Sequence, residues 1–209
     1  MMRIDSLAVQ PDRAGRHTVR FSDGRTMRLY RQTVEDFGLY VGLELDEQTY
    51  ASLEKAAGLM SAKMRSVRIV AASSVSRRDL QHRLVQKGED PEQAAQAVAW
   101  MEQLELIDDR KTAQQIVSRC ISKGYGLARA KQSLYEKKIP KEFWEEVLAD
   151  YPDQMDAIMD YLQNHITDPR DQKQVRKATD ALIRKGHSYA TVRRGLSQLD
   201  FDVDSLEEF

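Results

Sequence analysis

The sequence has few of the residues on which disulfide-bonded, secreted or membrane-spanning proteins depend. Cys120 is the only cysteine in 209 residues, so no disulfide can form within the chain, which favours a reducing cytoplasm. No stretch approaches the roughly 18 consecutive apolar residues of a transmembrane helix. The N-terminal residues also lack the apolar segment of a secretion signal. These absences predict a cytoplasmic protein with no membrane association.

Aromatic residues and net charge are also low. Aromatic residues make up 7% of the chain and charged residues 31%, a balance typical of soluble helical proteins. The net charge of −1 argues against a uniformly basic nucleic-acid-binding protein. Any polyanion would therefore have to be bound by a local cluster of basic residues.

The side chains that catalysis or metal binding would require do not converge in the sequence. None of the four histidines lies at i, i+4 from another histidine or a cysteine, so no metal site is predicted. Neither a Gly-x-Ser-x-Gly motif nor a Walker lysine motif is present. Cys120 falls inside a helical pattern, as a buried, inert thiol would. Asp108 and Asp109 are adjacent, so their side chains diverge, and they are better interpreted as a helix cap than as a catalytic pair. We predict that the protein is not an enzyme and has no cofactor.

The first 45 residues have the pattern of a small β element. The segment HTVRFSDGRTMRLY (residues 17–30) alternates apolar and polar residues on either side of Asp23-Gly24. Asp-Gly between such runs predicts a hairpin turn in which both residues have positive φ. The segment RIDSLAV (residues 3–9) is a candidate third strand. A sheet this small should pack on a helix or a partner.

The rest of the chain has the pattern of short helices with recognisable caps. Asp90-Pro91 places a capping side chain before a proline at the first helical position, and Asp168-Pro169 repeats this chemistry. The other predicted caps are Asp46, Ser76 with Asp79 in a capping box, and Asp108.

A weak internal repeat organises these helices. SKGYGLARAKQSL (residues 122–134) matches RKGHSYATVRRGL (residues 184–196), and Ser76 occupies the place of Gly126 in an earlier copy. We predict a mostly α fold of tandem three-helix repeats that form an elongated curved array, with a small N-terminal β-hairpin or sheet. The predicted divisions are 1–45 for the β element, 46–108 for a linking helix and the first repeat, 109–151 for the second repeat, and 152–209 for an extra helix and the third repeat.

Gly124-Tyr125-Gly126 could cradle a phosphate or mark the boundary between two helices. Phosphate-binding loops follow a strand, whereas this segment follows a helix, and its second copy has Ser188 in place of the second glycine. We therefore predict that Gly124 ends one helix in the left-handed conformation and that Gly126 begins the next. A phosphate contact at the helix N-terminus near Leu127 stays open as an alternative.

Two runs of basic residues are the main functional signal. Lys131, Tyr135 and Lys138 are spaced i, i+4, i+7 and are predicted to share one helical face. These faces could bind phosphates or carboxylates, or they could simply be solvated. The last ten residues carry five acidic residues and no basic one. The candidate contact residues are Arg119, Lys123, Arg129, Lys131, Lys137, Lys138, Arg184, Lys185, Arg193 and Arg194.

The order of these features resembles the RecX family, the bacterial regulators of the RecA recombinase. The resemblance covers about residues 73–198. It rests on SRRDLQHRLVQKGEDPEQAAQAVAWMEQLELIDDRKTAQQIV (residues 76–117), the KGYG segment and LIRKGHSYATVRRGL (residues 182–196). Thr112, Lys138 and Leu106 depart from the family pattern at positions that concern packing and turns.

The resemblance implies a non-enzymatic inhibitor that binds the RecA–DNA filament. Such a protein suppresses strand exchange, ATP hydrolysis and coprotease activity, and so acts in DNA repair, homologous recombination and the SOS response. RecA is the implied partner, with single- or double-stranded DNA contacted through phosphates. No dimerisation heptads appear, so a monomer is expected. The alternative is a free-standing DNA-binding helical module such as a transcriptional regulator, which would need base-reading side chains and usually a symmetric dimer.

Overall fold

The computed structural model describes residues 1–199 and is mostly helical, with a small N-terminal antiparallel sheet, as predicted. The chain divides into two compact units, which meet in sequence between Ile107 and Asp108. The acidic C-terminal residues 200–209 lie outside the described residues. A third helix of the last predicted repeat would also fall there, and the division into three-helix repeats stays a prediction.

The first unit begins with a four-stranded sheet. Its strands are β1 (Met2–Leu7), β2 (Arg16–Phe21), β3 (Thr26–Tyr30) and β4 (Glu44–Leu45), in the order β3-β2-β1-β4. Helix α1 (Arg31–Asp36) connects β3 towards β4. The third strand predicted from RIDSLAV is confirmed as β1, whereas the sequence pattern gave no signal for α1 or the two-residue β4.

The β2–β3 turn differs from the predicted one. Gly24 has φ +85°, but Asp23 does not have a positive φ, so the prediction that both residues are left-handed is wrong. The Gly24 N–H donates to the Phe21 carbonyl oxygen at 2.9 Å, and the Phe21 N–H donates to the Arg25 carbonyl oxygen at 2.9 Å. The loop is therefore a three-residue connection in which a turn is followed by one left-handed glycine.

Three helices complete the first unit: α2 (Glu47–Ala72), α3 (Arg77–Gln86) and α4 (Pro91–Gln103). Near its start, α2 places Tyr50 and Leu53 against the inner face of the sheet, which supplies the support that the sheet requires. Further along, α2 packs with α3 and α4 around a second core. The buried residues of that core are Ala62, Val75, Leu80, Leu84, Ala94, Ala97, Val98, Met101 and Ile107.

The second unit is helical throughout its described part. Its helices are α5 (Asp109–Ser122), α6 (Leu127–Glu136), α7 (Trp144–Leu148), α8 (Met155–His165), α9 (Gln172–Arg184) and α10 (Tyr189–Gln198). A short 3₁₀ turn, Lys141–Phe143, precedes α7. Helices α5, α6 and α7 enclose one apolar cluster, and α8, α9 and α10 enclose another. The extra helix that the sequence predicted before the third repeat thus packs directly on α9 and α10.

Most predicted caps form, and one is displaced. The side chains of Asp46, Ser76, Asp90 and Asp108 each accept a hydrogen bond from a first-turn N–H of the helix that follows. The prediction that Asp168 caps the next helix is wrong, because Asp171 caps α9 instead. The Asp168 carboxylate accepts a hydrogen bond from the Arg170 N–H at 2.9 Å and so forms a local turn before the helix.

Among residues 1–199, no helix combines the length and hydropathy that crossing a bilayer demands. Over the same residues, His, Cys, Asp and Glu side chains form no group of three that could hold a metal ion. The Cys120 thiol is buried, as predicted from its helical position.

Candidate interaction surface of the second unit

The two segments that resemble each other in sequence contact each other in the structure. The Gly126 N–H donates to the Lys185 carbonyl oxygen at 3.0 Å, and the Ala128 N–H donates to the Gly186 carbonyl oxygen at 3.2 Å. We call this contact between residues 124–128 and residues 185–188 the glycine junction. It brings the first turns of α6 and α10 to the same place.

Two glycines in the junction are required by the close approach of backbone to backbone. A Cβ atom on Gly126 would lie 2.1 Å from the Gly186 carbonyl oxygen. A Cβ atom on Gly186 would lie 2.3 Å from the Arg129 backbone nitrogen, and the φ of Gly186 is +92°. Gly126 itself has φ −76°, which any residue can adopt. Gly126 begins α6 as predicted, but the reason that it is a glycine is the neighbouring chain.

His187 adds a side-chain hydrogen bond to the junction. Its Nε2–H donates to the Gly124 carbonyl oxygen at 3.0 Å, and the residue is only 6% exposed. Burial lowers the pKa of this imidazole below its usual value, and the charge of Lys185 lowers it further, although the hydrogen bond to Gly124 acts in the opposite direction. The neutral ring is therefore the form that the junction favours. No local sequence pattern marks this role, because the partner of His187 lies 63 residues away.

The junction also supplies hydrogen-bond acceptors for backbone N–H groups at the start of α6. In a free helix N-terminus these N–H groups could bind an anion. Here the N–H groups of Gly126 and Ala128 donate to the facing turn, and the Arg129 N–H donates to the Gly126 carbonyl oxygen. The alternative of a phosphate contact at the N-terminus near Leu127 therefore loses most of its donors.

A hollow of about 450 Å³ lies beside the junction. Lys131 of α6 lines it together with Tyr151 and Asp153 from the loop before α8 and Thr191 of α10. Lys131 also borders a second hollow of about 440 Å³ that includes Trp144. Lys131 is exposed and has no ion pair among the described residues, so its ammonium group is available to a partner at this surface.

Several of the other predicted contact residues are engaged by neighbours. The Arg194 guanidinium lies 2.5 Å from the Asp153 carboxylate, so an acidic group occupies part of the hollow. The Lys185 ammonium lies 3.9 Å from the centre of the Tyr161 ring, which stacks on His165. These contacts hold the side chains of Arg194 and Lys185 against neighbouring residues of the second unit, so both cations are less available to a partner.

Four of the remaining predicted contact residues lie near the ends of helices, and Arg193 lies in the middle of α10. Arg119, Lys123 and Arg184 are exposed, and Arg193 is half-buried on α10. Arg129 is exposed, and its guanidinium lies 3.6 Å from the Glu136 carboxylate. Whether any of the ten basic residues contacts a partner stays a prediction.

Lys137 and Lys138 lie beyond the last residue of α6, which is Glu136. Lys138 has φ +53°, a left-handed conformation usually occupied by glycine, and its N–H donates to the Tyr135 carbonyl oxygen at 2.9 Å. The prediction that Lys138 continues the helical face of Lys131 and Tyr135 is therefore wrong. Lys138 is seven residues after Lys131, but α6 ends at Glu136 and the chain leaves the helix at its C-cap, Lys137.

Tyr151 is a residue of this surface that the sequence did not reveal. Its hydroxyl donates to the Tyr125 carbonyl oxygen at 2.6 Å, and burial raises the pKa of Tyr151 to about 12. The contact ties the loop before α8 to the Gly124–Gly126 turn. No local pattern marks a tyrosine for such a long-range bond.

This fold is shared with two solved structures. A crystal structure of a regulatory protein RecX matches with a TM-score of 0.64 and 20% sequence identity, over 91% of this chain and 97% of the other. A crystal structure of RecX from Lactobacillus salivarius matches with a TM-score of 0.60 and 18% identity, over 70% of this chain and 99% of the other. No family model and no curated protein matches the sequence. The chain has a RecX-like fold, which confirms the fold that the sequence resemblance implied.

Proposed function

We propose that this protein regulates the RecA recombinase, mainly as an inhibitor, by binding the RecA–DNA filament. The observation that carries the proposal is the structural match to a regulatory protein RecX over 91% of this chain. The order of motifs between residues 73 and 198 supports the same family, and it does not depend on the superposition. The protein would act by occupying the filament, and no chemical step is required of it.

The proposed contact surface is the basic surface beside the glycine junction. Lys131 is exposed and lines the hollow, and Arg194 forms an ion pair with Asp153, which also lines it. The junction holds α6 and α10 in a fixed relation, so cations from both helices can meet one partner. A RecA–DNA filament offers both phosphates and carboxylates to such a surface. The partner class fits the charge, and RecA is chosen because of the family resemblance.

DNA-dependent ATP hydrolysis by the cognate RecA, titrated with this protein, tests the proposal. We expect inhibition at substoichiometric amounts, because one bound molecule can stop the extension of a filament of many subunits. The absence of any effect at every ratio would refute RecA regulation. Specific binding to a duplex sequence in the absence of RecA would instead favour the free-standing DNA-binding module.

Paired variants test the proposed surface. Lys131→Ala/Arg194→Ala should weaken inhibition, whereas Lys55→Ala/Lys87→Ala makes the same change in charge on exposed positions of the first unit and should not. Equal inhibition by the two double variants would show that the basic surface of the second unit is not the contact.

A further inference from the structure

The outer face of the N-terminal sheet carries cations for which the proposed function gives no role. Strand β2 turns His17, Val19 and Phe21 towards the core side of the sheet, so Thr18 and Arg20 lie on the opposite side. The neighbouring strand β3 contributes Thr26 and Arg28 to that side. We call Ser6, Thr18, Arg20, Thr26 and Arg28 the outer sheet face.

The basic residues of this element are all arginines. Residues 1–45 contain seven arginines and no lysine. Four of the seven lie within ion-pair distance of an acidic residue close by in sequence; these pairs are Arg3–Asp5, Arg16–Asp12, Arg25–Asp23 and Arg31–Glu35. Arg20 and Arg28 are exposed and have no ion pair among the described residues. The nearby carboxylates are thus occupied, and two guanidinium groups stay available on one face.

The register of β2 and β3 makes Arg20 and Arg28 neighbours on the outer sheet face. Arg20 pairs with Thr26 and Thr18 pairs with Arg28 across β2 and β3. Arg20 and Arg28 are therefore diagonal neighbours, with Cα atoms about 7–8 Å apart. Two flexible arginine side chains at this backbone spacing can both reach phosphates of one nucleic-acid strand, and Thr18 and Thr26 add hydroxyl groups to the same face.

A hollow of about 470 Å³ adjoins Arg20. Ser6, Ser22 and Thr26 supply hydroxyl groups at its wall, and Gly24 leaves space at the turn. Asp5 also lines the hollow, but the Arg3 guanidinium binds its carboxylate at 3.1 Å. An anion beside Arg20 would therefore meet hydroxyl donors and a carboxylate that already has a cationic partner.

We propose that the outer sheet face binds the phosphate backbone of single-stranded nucleic acid through Arg20 and Arg28, without reading the base sequence. Guanidinium groups bind phosphate oxygens in a bidentate fork, which a lysine cannot do, and this face uses arginine alone. Flanking hydroxyl groups suit phosphate oxygens equally well. An acidic protein segment is the competing ligand, and the test below includes it. The proposal concerns the first unit and does not depend on RecA regulation.

Binding of a fluorescein-labelled oligothymidylate to the full chain, measured by fluorescence anisotropy across a salt series, tests this site. Arg20→Ala/Arg28→Ala should weaken binding about tenfold at low salt. The slope of log affinity against log salt should become shallower by about 0.7 for each arginine removed. An oligoadenylate should show the same loss, because the contacts are to phosphates.

Lys55→Ala/Lys87→Ala is the matched control, since it removes two exposed cations from α2 and the C-cap of α3, positions of the same unit that are not part of the outer sheet face. We expect it to keep the affinity and the salt slope of the parent. Thermal unfolding should give the same midpoint for both double variants, because Arg20 and Arg28 are exposed and support no buried group.

Three results would overturn the site. The first is that the two double variants bind oligonucleotide equally well. The second is that Arg20→Ala/Arg28→Ala loses binding to polyglutamate while it keeps binding to oligothymidylate, which would assign the face to an acidic protein. The third is that the loss depends on base identity. Because RecA is absent from the assay, none of these results bears on RecA regulation.

Discussion

The imidazole of His187 donates a 3.0 Å hydrogen bond to the carbonyl oxygen of Gly124, across 63 residues of sequence. Each of these two residues belongs to one copy of the repeated Lys-Gly turn. The bond therefore joins the two copies to each other and adds a side-chain contact to the backbone hydrogen bonds between them. The second unit depends on this junction, and its stability should respond to changes there.

Gly126→Ala should destabilise the second unit by about 2–4 kcal/mol, because the new methyl group would meet backbone atoms that cannot move away alone. The nearest atom would be the Gly186 carbonyl oxygen at 2.1 Å. Denaturant unfolding measures the change.

Gly58→Ala is its matched control. The added methyl group would also meet an atom at 2.1 Å, but that atom is the flexible end of the Gln93 side chain. Since alanine favours a helix interior, this variant should be neutral or more stable. Equal destabilisation by the two variants would contradict the backbone explanation.

The stability of the second unit should fall as the pH is lowered from about 7 to about 5, the range in which histidine titrates. The folded-state pKa of His187 is depressed by burial, so the unfolded chain binds the proton more tightly. The stabilisation is fully present above the unfolded pKa and is lost as the pH falls through the folded one. His187→Gln keeps an N–H donor that does not titrate, so its unfolding free energy should depend less on pH. An unchanged pH dependence in that variant would exclude His187 as its source.

Lys138→Gly should stabilise the protein by about 0.5–1 kcal/mol, because glycine adopts positive φ without the steric cost of a side chain. Thermal unfolding measures this effect. If Lys138 also contacts the filament, the same variant should inhibit RecA less while it unfolds at a higher temperature. A lower unfolding temperature would show that the side chain of Lys138 contributes more than its backbone strain costs.

Asp153→Asn should increase the affinity for a polyanionic partner about threefold at low salt, since it removes an acid from the hollow and releases Arg194. Asp180→Asn makes the same change in charge at an exposed position of α9 and should have a smaller effect. Stability should change by less than about 0.5 kcal/mol, because the Arg194–Asp153 pair is exposed. Filament binding at two salt concentrations provides the measurement.

The features that the sequence predicted correctly are those that neighbouring residues determine. Asp90 caps α4 beside Pro91, and Ser76 caps α3, because each cap needs only the next few N–H groups. The choice between Asp168 and Asp171 failed because both residues have capping side chains three positions apart. Pro169 favours Asp168 as the cap, yet α9 begins at Gln172 and the Asp171 side chain accepts hydrogen bonds from the N–H groups of Lys173 and Gln174.

Long-range contacts determine the features that the sequence missed. Strand β4 has only two residues, and it is a strand because those residues pair with β1, about 40 positions earlier in the sequence. The pairing of Gly126 with Gly186 is invisible as a contact in a single sequence, although the repeat marks both residues. The outer sheet face can be recognised only once the strand register is known, because Arg20 and Arg28 are eight positions apart in the sequence.

The glycine junction also affects how the chain acquires its structure during synthesis. The first turn of α6 donates to carbonyl groups of Lys185 and Gly186, which leave the ribosome long after α6 itself. Until then the N–H groups of Gly126 and Ala128 can bond only to water. We therefore expect a nascent chain that ends before residue 185 to hold α5 and α6 loosely, and the native arrangement of α6 to form once α9 and the turn after it have been released.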